Sequence, residues 1–359
     1  MKEKYFTLNE IKKRDCRYNV IFGERSNGKT YACLQEIIDK YFTFGEKGAV
    51  IRRWAEDFKN NGGSELFNAF VDNNYIKKIS KNKFDSIKYY ARKWFFINTD
   101  TKSVEPEPFC YGFALTESEH KKGPNYGKVT TILFDEFITR KFYLPDEFTD
   151  FMNVLSTIIR DRDNVKIYMC GNTVNKYCPY FSEMGLTRVT EMKKGQIDVY
   201  TYGDSGLRVA VQYSDSPAKS KKSDIYFAFN NPRLNMIKNG DWEFNNYPHL
   251  PKKYLPKNVL YIYYIVFDKN ILQCNIIAVD DNVFTYIHRK TTEINEYNNR
   301  LVYKCECDSN PLHRVNIYHY TDKISKKILW FYQNERVFYQ DNEVGEIVNN
   351  YLKWCRNGG

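Results

Sequence analysis

"GERSNGKT", residues 23–30, follows the apolar run "YNVIF" (18–22) and precedes "YACLQEIIDKY" (31–41). The eight letters fit G-x-x-x-x-G-K-[ST], and their surroundings suit that pattern: a β-rich run comes before it and a helix-compatible run after it. A strand, loop and helix in this order aim successive backbone N–H groups and the positive end of the new helix at an anion. Gly23 and Gly28 allow the tight turns, so the loop through Glu24, Arg25, Ser26 and Asn27 is expected to wrap phosphates. Lys29 would reach the β- and γ-phosphates and Thr30 would hold Mg²⁺, which makes ATP and Mg²⁺ the expected cofactors. The plainer alternative is a glycine-containing turn with a solvated lysine, and it leaves the full octet to coincidence.

The 359 residues can bury a substantial core and suit two domains. Hydrophobic residues make up 42%, charged residues 27%, and no stretch of 18 apolar residues occurs. A soluble chain without a membrane span is expected. The charged N-terminus "MKEKYFTLNEIKKRDCR" lacks the apolar centre of a signal peptide, so the nine cysteines are expected to be mostly reduced thiols in a cytosol. Lys and Arg total 54 against 44 Asp and Glu, a net charge of +10 spread along the chain without a basic tail. That balance suits nucleic-acid phosphates, although solubility alone also accounts for it.

Residues 1 to about 200 alternate strand-like and helical stretches, which argues for a mostly parallel α/β sheet covered by helices. The strand candidates are 18–22, 49–52, 130–134 and 165–170; "NGGSELFNAFVDNNYIKKIS" (61–80) and "LPDEFTDFMNVLSTIIRD" (144–161) read as helices. From 202 to 256 the texture turns to Ser, Asn, Pro and Lys, which reads as a connector with some helix around 224–240. The runs at 258–268, 272–281 and 283–290 form a meander signature in a second domain, closed by a terminal helix at 343–355. The expected division is therefore 1–201, 202–256 and 257–359.

"VTTILFDEF" (129–137) is the second informative stretch. A buried strand ending in two acids places Asp135 to hold Mg²⁺ and Glu136 to orient and polarise the attacking water. The doubled acid and the absence of a guanine-reading N-K-x-D separate the chain from switch GTPases. Asn172 should close the strand at 165–170, where an amide can sense the γ-phosphate or cap a turn. Arg160 and Arg162 flank Asp161 before that strand, where a ring NTPase can present an arginine to its neighbour's nucleotide; otherwise each is a surface arginine paired with Asp161 or Asp163. Lys121 and Lys122 lie in the basic loop "HKKGPNYGK" and could touch DNA phosphate, a neighbour's ATP, or solvent alone. Arg52, Arg53 and Trp54 follow the second strand, where an arginine could reach phosphate and the indole could stack on adenine or pack in the core. Cys305, Cys307, His313 and His319 offer zinc donors, but C-x-C on a strand points its thiols to opposite faces.

"VIFGERSNGKTYA", "VIRRW", "ILFDEF" and "IIRDR" before "CGNTVN" resemble, in order and spacing, the DNA-packaging ATPases of phi29-like tailed phages. The resemblance covers residues 1 to about 200 and beyond that rests on length and domain order. It implies an α/β P-loop ATPase domain of the additional-strand, conserved-glutamate (ASCE) type, a linker, and a smaller ribonuclease-H-like α+β domain. It also implies a homo-pentameric ring on the portal of an empty prohead, moving double-stranded DNA inward at the expense of ATP. Such a protein works in the host cytoplasm, docks transiently on the prohead, and is absent from the mature virion. Position by position, Lys29 and Thr30 bind phosphate and Mg²⁺, Asp135 holds the metal, and Glu136 is the catalytic carboxylate. Arg160 matches a finger acting across the subunit interface, and Lys122 a lysine acting there too.

A working ribonuclease-H-like nuclease gathers several carboxylates around two metals. Here only Asp268, Asp280 and Asp281 stand near the first strands, so the second domain is expected to be nuclease-inactive and to grip DNA or dock the portal or a packaging RNA. The rivals are a terminase with a live nuclease and a non-motor P-loop protein whose second domain binds a protein partner.

Overall fold

A computed structural model describes residues 5–59, 61–120, 125–173, 177–215, 245–250, 253–280, 282–295, 299–306 and 308–357. The chain divides into two compact units, residues 1–139 with 148–243, and residues 140–147 with 244–359.

The first unit is built on a 10-stranded sheet. Its strands are β1 (Tyr18–Gly23), β2 (Lys47–Arg52), β3 (Ser86–Tyr90), β4 (Lys93–Asn98), β5 (Ser103–Val104), β6 (Cys110–Ala114), β7 (Val129–Asp135), β8 (Lys166–Asn172), β9 (Ile197–Tyr202) and β10 (Leu207–Ser214). Their order is β3-β4-β6-β2-β7-β8-β1-β10-β9, with β5 beside β4. From β6 through β10 every neighbour is parallel, and antiparallel strands flank both sides. β8 stands between the P-loop strand β1 and the acid-bearing strand β7, which is the inserted strand of the ASCE arrangement. Strands covered on both faces read as continuous apolar runs, and every residue of β7 is buried.

The helix Lys29–Phe44 begins at Gly28, whose φ of 97° only glycine adopts without strain, and ends at Gly45, whose N–H reaches Tyr41 O. Cys33, Leu34, Ile37 and Ile38 form its buried stripe. The predicted single helix over 61–80 is instead three short ones, Asn61–Glu65, Asn68–Asp72 and Tyr75–Ile79. Asn74 in the left-handed region separates the last two, while Gly63 offers its carbonyl to Trp94 Nε1 at 2.8 Å.

The boundary expected at 201 falls inside this unit. β10, beyond it, pairs in parallel with β1 over Tyr18–Gly23, and its Ser214 supports the P-loop. The alternation in "LRVAVQYS" is what the polar texture around it concealed. The helical stretch expected around 224–240 lies outside the described residues.

The second unit carries a six-stranded sheet: β11 (Val259–Phe267), β12 (Asn270–Val279), β13 (Asn282–Arg289), β14 (Val302–Tyr303), β15 (His313–Arg314) and β16 (Val337–Tyr339), in the order β15-β14-β11-β12-β13-β16. The first three form the expected antiparallel meander, and β14 joins β11 in parallel. The helix Asn342–Asn357 buries Val344, Ile347, Val348, Tyr351 and Trp354, the spacing of an amphipathic helix. A second helix, Lys323–Gln333, was not expected from sequence; Asp322 caps it by accepting from the N–H groups of Ile324 and Ser325.

Candidate active site

Parallel strands end at one edge of a sheet, and that edge gathers the phosphate-binding motif. Gly23 ends β1 opposite Asn172 on β8, and Asp135 ends β7 opposite Cys170. The loop from Gly23 to Gly28 needs its glycines: a Cβ on Gly23 would stand 2.3 Å from Ser214 Oγ. Ser26 also takes a positive φ, 62°. The Asn27 side chain, buried, donates to Ser214 Oγ at 2.8 Å, and Ser214 in turn donates to Phe22 O at 3.0 Å. β10 therefore braces the loop from behind, a support with no motif to announce it.

Lys29 is only 5% exposed. Its ammonium donates to Glu24 O at 2.6 Å, Asn27 Oδ1 at 3.1 Å, Asn172 Oδ1 at 3.3 Å and Gly23 O at 3.4 Å. Burial pulls its pKa down to about 8, which neighbouring negative groups oppose. A buried cation held by neutral oxygens is a site short of an anion. Thr30 Oγ1 donates to Asp135 Oδ1 at 2.7 Å, and the other oxygen of Asp135 accepts from Arg52 Nη2 at 2.7 Å. Arg52 Nε is buried with no hydrogen-bond partner among the described residues. The residues thus fit Mg-ATP: amides and Lys29 for phosphate, and a hydroxyl beside a carboxylate for a hard cation.

Glu136 follows Asp135 with φ 59° and an exposed side chain. Left-handed backbone is unfavourable for a glutamate, and this turn is held by Arg53 and by the Phe137 N–H, which donates to Cys170 O at 3.2 Å. Arg53, 4% exposed, donates to Glu136 O at 3.2 Å and Phe137 O at 2.9 Å. Neither arginine of "VIRRW" had this role in the sequence reading: Arg52 faces Asp135 and Arg53 donates to the turn after it. Trp54 is half-buried before the turn Ala55–Phe58.

Arg160 and Arg162 lie elsewhere. β7 and β8 are parallel neighbours, so the chain must return along the sheet between them, and the helix ending at Ile159 makes that return. Arg160, exposed at φ 50°, therefore sits at the amino-terminal edge. The length of β8, about 20 Å at roughly 3.3 Å per residue, separates that edge from Lys29. Arg162 is not paired with Asp161 or Asp163, as a surface reading had it. Among the described residues its guanidinium donates only to main-chain carbonyls, those of Tyr126, Gly127, Val129, Ile158 and Ile159. Lys121 and Lys122 lie outside the described residues.

In the second unit, Asp268 and Lys269 are the two positive-φ residues of the turn joining β11 to β12, and Asp280 begins the turn from β12 to β13. Phe267 pairs with Asn270 while Val259 pairs with Ile277, so the two acids leave opposite ends of the same hairpin. They cannot share a metal. Among the described residues no three His, Cys, Asp or Glu are grouped to hold one. His313 Nδ1 lies 2.6 Å from Asp308 Oδ2, while Cys307 and Asp281 are outside the described residues.

Residues 1–228 match the family described as podovirus DNA encapsidation protein (Gp16). The chain belongs to that family. The DNA packaging protein of Bacillus phage B103 is 27% identical over 213 residues, 56% of this chain and 58% of that one. The DNA packaging protein of Bacillus phage phi29 is 24% identical over 185 residues, half of each chain. The chain thus spans between half and three-fifths of the length of these curated relatives. In structure it resembles the bacteriophage Phi-29 viral genome packaging motor assembly, with a TM-score of 0.58, 17% identity and coverage of 99% of this chain and 100% of the other. The Phi-28 gp11 DNA packaging motor gives a TM-score of 0.56 at 17% identity over 99% and 98%. At that identity the likeness concerns the fold, and it extends to residues 244–359 of the second unit, which lie beyond the family match. No described helix of this family member is long and apolar enough to cross a membrane.

Proposed function

We propose that this chain is the ATP-hydrolysing subunit of a phage motor that drives double-stranded DNA through the portal into a preformed prohead. One observation carries the reading: Lys29, Thr30, Asp135 and Asn172 meet at one sheet edge with Glu136 exposed beside them, in a member of the encapsidation family. Mg-ATP, when bound, supplies the transferable phosphoryl group and the cation that screens its charge.

The amides of Gly23 to Gly28 would line the phosphates, and Lys29 would exchange its carbonyl and amide partners for phosphate oxygens. Thr30 and Asp135 would hold Mg²⁺. Glu136, fixed by Arg53 and open to solvent, would align a water and take its proton. Asn172, which accepts from Lys29, would sense whether the terminal phosphate is present. Arg160 cannot serve its own site from the opposite edge. It would serve a neighbour's in a homo-oligomeric ring, with five copies as the family suggests and Lys122 as a second group across the interface. There a cation meets charge that develops only in the transition state. The second unit would grip DNA and dock the portal or a packaging RNA, with the ring assembled on the prohead in the host cytoplasm.

The test is steady-state ATP hydrolysis with and without double-stranded DNA, while Arg160→Ala subunits are titrated into wild type. The reading expects DNA stimulation, a non-linear fall with the variant fraction, and loss of the DNA effect as salt rises. A rate indifferent to DNA and proportional to the wild-type fraction would overturn it.

A further inference from the structure

Arg162 is an unusual arginine. It is half-buried, and among the described residues no carboxylate accepts from it. Nη1 donates to Gly127 O at 3.0 Å and Val129 O at 2.6 Å; Nη2 donates to Tyr126 O at 3.2 Å and Ile158 O at 2.7 Å; Nε donates to Ile159 O at 3.3 Å. Ile158 and Ile159 close the helix Glu147–Ile159, where carbonyls lack intrahelical partners and the helix dipole is negative. Gly127 and Val129 belong to the segment entering β7. One planar fork therefore staples the end of a helix to the start of the neighbouring strand.

Arg160 leaves the first of those anchors. Its left-handed backbone follows directly from Ile159, and its own N–H still reaches Ser156 O at 3.0 Å. Arg17 Nη1 holds the far end of the same loop through Asp163 O at 2.7 Å. The loop is pinned on both sides of Arg160, and the nearer pin is Arg162.

We infer that Arg162 is a positioning residue for catalysis in the neighbouring subunit: it holds the Tyr126–Val129 segment and the helix end as one rigid edge from which Arg160 projects. The inference rests on the reading that Arg160 acts in trans. A lysine cannot reproduce the role, because its three donors radiate from one atom and cannot span carbonyls on two elements as a fork does. A displacement of an ångström at a reacting centre costs about 10²-fold, so that is the loss expected when the fork goes.

The experiment is complementation between full-length subunits. Lys29→Ala subunits keep the amino-terminal edge but lack a working site; Arg160→Ala subunits keep the site but lack the finger. Mixed on double-stranded DNA, the two should restore hydrolysis that neither shows alone. With Arg162→Lys added to the Lys29→Ala donor, restoration should fall about 10²-fold. Arg162→Lys alone should bind a fluorescent ATP analogue with unchanged affinity, since its own site is untouched. Equal restoration with and without the Arg162 change overturns the inference while leaving the trans reading intact. Weakened nucleotide binding by Arg162→Lys also overturns it, because the residue would then support the whole unit. Failure of the parental mixture removes the trans reading, and the positioning role with it.

Discussion

The two sheets of this protein treat their acids in opposite ways. In the first unit, β1, β7 and β8 run parallel, so their last residues meet at one edge, and Gly23, Asp135 and Asn172 converge from positions far apart in sequence. In the second, β11 and β12 run antiparallel, and the same habit of ending a strand with an acid sends Asp268 and Asp280 to opposite ends. Strand direction decides whether carboxylates become a site. Parallel pairing adds helix N-termini at that edge, and with them the fixed positive charge an anion needs. The antiparallel hairpin offers turns instead, and an aspartate is at home there because it tolerates a positive φ.

The sharpest way to break this contrast is at Glu136. Glu136→Gln should lower kcat by about 10³-fold while nucleotide affinity holds, because the amide cannot accept a proton from water. Single-turnover hydrolysis beside a binding titration would show it. Residual activity near wild type would mean that the converged edge binds nucleotide but draws its base from elsewhere.

Arg53 tests whether convergence suffices without a clamp. Its guanidinium donates to both carbonyls of the turn in which Glu136 takes left-handed backbone. Arg53→Ala should cost about 10²-fold in kcat with KM little changed, and Arg53→Lys should recover part of that. A rise in KM with kcat preserved would assign Arg53 to nucleotide binding instead.

These two residues also mark the limit of what sequence revealed. The P-loop, Asp135, Glu136 and Asn172 were legible because motif and strand ends name them together. Arg53 and Arg162 were visible as letters but not as roles, since their partners are main-chain carbonyls, which carry no signature in sequence. The β3–β4 hairpin escaped for a related reason. Its two-residue turn is Ala91-Arg92, both at positive φ, where Asn-Gly is the usual sign. β10 was hidden by a polar neighbourhood and by a boundary drawn before it. The edge that Arg160 occupies follows from the alternation of helix and strand, because a parallel pair requires the chain to return between β7 and β8.

Lys29 allows a gentler test, by pH. Its pKa is about 8 in the folded chain against an ordinary 10.5, since burial disfavours the cation. Below about 8 both folded and unfolded chains carry the proton, and the cost of burying the charge is fully present. Between about 8 and 10.5 the folded chain releases a proton that the unfolded chain keeps, so this group makes the nucleotide-free protein more stable as pH rises. Phosphate binding has the opposite sign, because it needs the cation: affinity should weaken above pH about 8, by no more than tenfold per unit, with proton uptake. Calorimetry in buffers of different ionisation enthalpy reads that uptake directly. Affinity flat through this range would mean that the ammonium keeps its proton despite burial.

The smallest effect is expected where the comparison predicts none. Asp268→Asn and Asp280→Asn change acids at opposite ends of one hairpin, so neither should alter how the full-length protein treats supercoiled DNA in Mg²⁺ or Mn²⁺. Each should leave plasmid intact, as the unmodified chain should. Metal-dependent nicking by the unmodified chain that vanished in Asp268→Asn alone would mean that acids reach this end of the sheet from elements outside the hairpin. The antiparallel sheet would then have built a site by recruiting its surroundings, which a parallel edge does not need to do. Because an asparagine in either turn tolerates the same positive φ, a loss seen in these variants would report chemistry and not a broken turn.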